Sequence, residues 1–164
     1  MMKRTCSVLL IALMCFSACS QNVKYEQPVQ FYYCTAGNSF DTNSTTIGSE
    51  TIECATMGTE TEILEAYLTG PQSSALRSPF PAGLMLVSYA RTNSEVTITF
   101  SAELGNLSKL DLTLACGCIT MTVLSFAEVE TVHISAENVL LNGQETITMN
   151  AETLQLLDIC TDGQ

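Results

Sequence analysis

Apolar positions change period along the chain, and each change of period predicts an element. From position 29, Val29, Phe31 and Tyr33 alternate with Gln30, Tyr32 and Cys34, the two-residue repeat of a strand. Residues 37–50 are rich in Gly, Ser, Thr and Asn and read as a loop longer than most connections. A second short strand is expected over residues 50–56, centred on Ile52 and Cys54. The period then lengthens. Ile63, Leu64, Tyr67 and Leu68 make one helical stripe, opened by Thr59 and Glu62 at capping-box spacing. Gly70-Pro71 stops it, because glycine tolerates a left-handed cap and proline cannot continue a helix. After a loop carrying Pro71, Pro79 and Pro81, strands are expected over residues 84–90 and 95–101, joined around Thr92-Asn93-Ser94. In the second of these, Val96, Ile98 and Phe100 alternate with Thr97, Thr99 and Ser101, the pattern of a half-buried strand.

Helical spacing returns over residues 107–126, where Leu110, Leu114, Cys118, Met121 and Leu124 recur. Gly117 and several β-branched residues oppose it. The small side chains at 115–118 suit a helix pressed closely on a sheet. A strand follows over residues 129–135, with Val132 and Ile134 inward and His133 outward. Asn142-Gly143, between Val139-Leu140-Leu141 and residues 146–149, is a hairpin signal, since both residues accept the positive φ of a type I′ turn. Leu154, Leu156 and Leu157 close the chain as an apolar tail.

The N-terminus changes the picture from fold to location. Met1-Met2-Lys3-Arg4 is a basic start, and residues 7–16 are an apolar run of signal-peptide length, too short to cross a bilayer as a helix. The run closes on Phe16-Ser17-Ala18-Cys19, which resembles a bacterial lipobox with Phe at the position where Leu is usual. That resemblance implies cleavage before Cys19 and attachment of the chain to a membrane through diacylglyceryl and acyl (palmitate-like) lipid on its thiol. Each buried methylene contributes about 0.8 kcal/mol, so two or three chains hold a small domain durably. Ordinary secretory cleavage after Ala18 is the alternative. The expected organisation is a lipoprotein signal peptide over residues 1–18, a polar tether over 19–28, one domain over 29–149 and a C-terminal tail over 150–164.

Cleavage removes Lys3 and Arg4 and no acid, so four basic residues face 17 acidic ones, a net charge of −13. Such a surface repels phosphate backbones and anionic headgroups, which excludes nucleic acid as a partner. Of the eight cysteines, Cys34, Cys54, Cys116, Cys118 and Cys160 belong to neither the signal nor the lipid site. They read as buried thiols, with a Cys34–Cys54 disulfide as the alternative that export permits. Cys116 and Cys118 would need two further ligands to hold zinc, and His133 is the only histidine. No metal and no cofactor is expected.

Residues 60–101 resemble the GerMN domain, the module of sporulation and spore-germination lipoproteins. The residues that carry the resemblance are Leu68-Thr69-Gly70-Pro71, Ser78-Pro79-Phe80-Pro81-Ala82-Gly83 and Val96-Thr97-Ile98-Thr99-Phe100-Ser101. Val129-Glu130-Thr131-Val132-His133-Ile134 and Asn142-Gly143 fill later places of the same pattern, so the match extends over about residues 29–147. The chain departs from it at Ala115-Cys116-Gly117-Cys118 and in the length of residues 135–142. The resemblance implies an α+β fold, a mixed or antiparallel sheet with two helices on one face, like the ring-building modules of secretion and sporulation complexes. It implies no catalysis.

Three functions compete on the residues. The first is a lipid-anchored, non-enzymatic extracytoplasmic envelope protein that engages another envelope protein. Its contacts are expected on loops, over residues 37–48 and at Arg77, Ser78, Pro79, Phe80 and Pro81. The second is a binder of cell-wall fragments or small molecules, with Tyr32, Tyr33 and Tyr89 as a stacking surface, although as strand residues they read first as core or half-exposed tyrosines. The third is an enzyme, which would need Cys116 or Cys118 as nucleophile and His133 as base. Glu60 and Glu62 read as helix-capping residues rather than a catalytic pair.

Overall fold

The computed structural model describes residues 28–36, 47–54 and 58–159. Strand β1 (Val29–Thr35) pairs antiparallel with β2 (Ile47–Ile52) on one side and with the short β3 (Leu76–Arg77) on the other. The second strand thus starts earlier than the sequence suggests, because its register on β1 sets Cys34 against Ile47 and Val29 against Ile52. Helix α1 (Glu60–Leu68) lies between these strands in sequence. The Thr59 hydroxyl accepts from the Glu62 N–H at 3.2 Å, and the Glu62 carboxylate accepts from the Thr59 N–H at 3.1 Å, closing the expected capping box. The helix stops at Gly70, whose φ of +95° lies in the region glycine favours.

A second sheet carries the rest. Strands β4 (Leu86–Arg91) and β5 (Glu95–Phe100) form a hairpin with an irregularity between Leu86 and Ser88. Then come a short 3-10 turn over Ala102–Asn106 and the helix α2 (Lys109–Phe126), which carries the chain to β6 (Thr131–Ala136), parallel to β5. Strand β7 (Ile147–Asn150) pairs antiparallel with β6, giving the order β4-β5-β6-β7. The expected α+β class holds, with the strands divided between two sheets rather than gathered in one.

Val96, Ile98 and Phe100 of β5, with Val132 and Ile134 of β6, turn their side chains into one core that also takes Phe31, Tyr33, Ile63, Leu64 and Tyr67. Helix α2 is buried on most of its circumference between Ala115 and Thr120. By length and composition it could cross a membrane, but half of it is buried inside the fold. The face that docks carries Leu112, Cys116, Ile119 and Val123, while Leu110 of the expected stripe is exposed. Where nearly every position is apolar, periodicity alone does not fix the facing side.

At Asn142 and Gly143 φ is +52° and +84°, and Leu141 and Gln144 exchange both backbone hydrogen bonds at 2.8 and 3.0 Å. The turn forms as expected, but its strands are single bridges, since β7 has β6 as its ladder partner. The last segment, expected as a tail, is helical over Ala151–Ile159 (α3), opened by Asn150, whose side chain accepts from the Thr153 N–H at 2.9 Å.

Candidate functional site

The side chains with chemistry converge where α1 and α2 meet β1. Beyond β3, no strand among the described residues lies along this edge of β1 at Gln30 and Tyr32, and hydroxyl groups fill the gap. Ser125 Oγ donates to the Gln30 carbonyl at 3.0 Å, and the Tyr32 N–H donates to Thr122 Oγ1 at 3.0 Å. Tyr67 Oη, itself hydrogen-bonded to the Thr122 side chain, donates to the Tyr32 carbonyl at 2.6 Å. Tyr33 Oη donates to the Tyr67 carbonyl at 2.9 Å. The Tyr67 ring stacks obliquely on Tyr33 and Phe31 with centroids 5.0 and 5.1 Å away. Burial, chiefly, pushes both phenols well above the ordinary tyrosine range, so they stay neutral donors.

Cys34 stands at the end of this edge. It does not pair with Cys54: the register sets Cys34 against Ile47, so Cys54, two residues past Ile52, lies beyond the opposite end of the ladder. Strand rise puts about 20 Å between those ends, against a Cα separation of about 7 Å at most for a disulfide. The Cys54 thiol instead donates to the Ile52 carbonyl at 3.6 Å. Cys34 hydrogen-bonds Cys118 of α2 and sits directly across from Arg77. The Cys118 contact, helped by the Arg77 charge and opposed by burial and Asp111, lowers the Cys34 thiol to about 7. Cys118 is pushed up by the same contact and by burial, and Cys116 is pushed up to about 12 by burial.

The expected contact loop is divided between surface and core. Arg77 is exposed, while Ser78 and Pro81 are half-buried. Pro79 is buried, and Phe80 packs edge-on against Tyr67 at 5.1 Å. Shortly after this loop in sequence come two exposed apolar side chains, Met85 at 62% just before β4 and Val87 at 46% within it. They mark the start of β4, an edge strand with β5 as its one partner among the described residues. The sequence reading missed them, since alternation over residues 84–90 does not tell an edge strand from a central one.

His133 points to the face of β6 opposite Val132 and Ile134, where Nδ1 meets Thr148 Oγ1 at 3.0 Å and Nε2 lies 3.6 Å from Glu95. Cys116 and Cys118 are on the core side, so the nucleophile–base pair is not assembled. The three tyrosines do not form a stacking surface either: Tyr33 is fully buried, and Tyr89 Oη donates to Glu60 at 2.7 Å. Glu60 also takes an ion pair from Arg91, which ties α1 to β4. Among the described residues no group of three His, Cys, Asp or Glu side chains is placed to hold a metal. Cys19, residues 37–46 of the long loop, and Cys160 lie outside the described residues.

A family model described as sporulation and spore germination, Germane, matches residues 30–142. Among solved structures, the tandem GerMN domains of the sporulation protein GerM from Bacillus subtilis align with a TM-score of 0.51 at 18% identity, over 73% of this chain and 43% of that one. The chain thus spans less than half of that structure. The first GerMN domain of the same protein aligns with a TM-score of 0.53 at 14% identity, over 73% of this chain and 91% of that one. These two likenesses establish the fold. No curated protein matches the chain.

Proposed function

Because the chain belongs to the sporulation and spore germination family, Germane, a sporulation-associated domain and not a known enzyme class, we propose that it is a lipid-anchored, non-enzymatic envelope protein that works as an assembly module. The observation that carries this reading is the exposed apolar start of β4. Met85 and Val87 are exposed at the start of β4, an edge strand of its sheet among the described residues, where an extended segment of another protein can add its own strand or lay apolar side chains. The partner is an envelope protein, and the setting is spore formation or germination.

The lipobox-like Phe16-Ser17-Ala18-Cys19 supports membrane attachment through Cys19. The acidic surface gives no electrostatic hold on anionic headgroups, so the lipid does the anchoring.

Crosslinking and pull-down from intact source cells tests both parts, with the tagged wild-type chain, a Cys19→Ala variant and a Met85→Asp/Val87→Asp variant. Recovery of one envelope protein in stoichiometric amount, lost in both variants, supports the module. Recovery of nothing above background overturns stable assembly. Wild-type protein found in the soluble fraction overturns the anchor.

A further inference from the structure

Strand β1 and helix α2 run antiparallel in a matched step. Gln30 meets Ser125, and Tyr32 meets Thr122. Two strand residues advance about 6.6 Å, and the three to four helical residues of each step rise about 4.5–6 Å, near enough for the pairing to continue. The next step along β1 is Cys34, and the next along α2 is Cys118, with their thiols hydrogen-bonded to each other. Two cysteines separated by 83 intervening positions are therefore brought together by hydrogen bonds that do not involve sulfur.

We propose that Cys34 and Cys118 are a redox pair that closes into a disulfide joining β1 to α2, with an organic disulfide as the oxidant. Cys34 is the attacking sulfur. Arg77 lies directly across the β1–β3 ladder on the same face and favours its thiolate. The thiolate attacks one sulfur of the donor disulfide, forming a mixed disulfide and releasing one donor thiolate. Cys118 then loses its proton and attacks the Cys34 sulfur, releasing the second donor thiolate. The protein dithiol loses two electrons and two protons, and the donor disulfide becomes two thiols.

Both sulfurs are buried, Cys34 at 1% and Cys118 at 0% exposure. Exchange therefore needs β1 to part from α2, or happens as the chain folds. The end of β1 is suited to parting, since β3 holds it through only two residues. Cys116 takes its shift from burial alone. This inference does not depend on the anchor or on the partner of β4.

The test uses the full chain. The reduced protein is exposed to oxidised glutathione both when folded and during refolding from denaturant, and its linkages are mapped by mass spectrometry after the remaining thiols are alkylated. We expect a Cys34–Cys118 crosslinked peptide and a rise in Tm of about 10 °C that a reductant reverses. Cys116→Ser keeps the crosslink, and Cys118→Ser leaves Cys34 carrying glutathione. The wild-type map decides the matter without reference to how the variants fold. Free thiols at both positions after both treatments, or either cysteine linked to another cysteine of the chain, overturns the pair.

Discussion

Tyr67 Oη donates to the backbone carbonyl of Tyr32 at 2.6 Å, across the junction of a helix and a strand that 35 positions separate. The Tyr32 N–H donates to Thr122 Oγ1, and the Thr122 side chain meets Tyr67 Oη, so the peptide of one strand residue is satisfied from two helices. This closed circuit stands where no strand among the described residues pairs with β1 beside Tyr32. It fixes α1 and α2 on β1 with direction as well as contact.

Thr122→Val keeps the shape and removes the acceptor, leaving the Tyr32 N–H without its partner. We expect a loss of about 1–3 kcal/mol in denaturant unfolding. Thr120, two residues earlier on the same helix, is buried with a hydroxyl that has no hydrogen-bond partner among the described residues. Thr120→Val should therefore be neutral or stabilising by up to about 1 kcal/mol. Equal losses from both substitutions would mean that packing, and not the hydroxyl circuit, sets the cost.

The circuit was not legible in the sequence, and the reason is physical. Tyr67 sits in a legible stripe and Tyr32 in a legible strand, but their meeting depends on where α1 docks, which no local period encodes. Local signals did better. The Thr59–Glu62 box, the Gly70 stop and the Asn142-Gly143 turn each depend on a few neighbouring residues, and each formed where expected. The facing side of α2 was misjudged at Leu110, because a helix apolar on nearly every side has no preferred face until it is packed. The Cys34–Cys54 alternative failed on strand register, a long-range property.

Gly143 tests the turn. Its φ is +84°, and a Cβ built there meets no atom within 4 Å, so Gly143→Ala suffers from backbone strain and not from a clash. The expected loss is about 1–2 kcal/mol. Asn142→Gly, at a φ of +52°, should change stability by much less. Thermal melts of the two variants, compared with the wild type, separate the strain from any loss of contact.

The start of α1 offers a second local test. Thr59→Ala removes the side-chain acceptor for the Glu62 N–H and opens the capping box. We expect a loss of about 1 kcal/mol, with Thr59→Ser close to wild type, since its hydroxyl keeps the acceptor. Amide exchange should report the change first at Glu62, the donor of the lost bond.

Stability of the reduced chain should rise and then fall with pH, and the signs come from opposite shifts in neighbouring thiols. The Cys34 thiol is lowered to about 7, so its contribution is complete above the ordinary cysteine range, about 8.5–9, and is lost as pH falls through about 7. Cys116 and Cys118 are raised, so theirs is complete below about 8.5 and is lost as pH rises and the unfolded thiols ionise. Tyr33 and Tyr67, also raised, add a further loss above about 10. Denaturant midpoints taken across this range should climb between about pH 7 and 8.5 and decline beyond. Cys34→Ser should abolish the climb and leave the decline. A climb that survives in that variant would assign it to another group and remove the thiolate from the account of this junction.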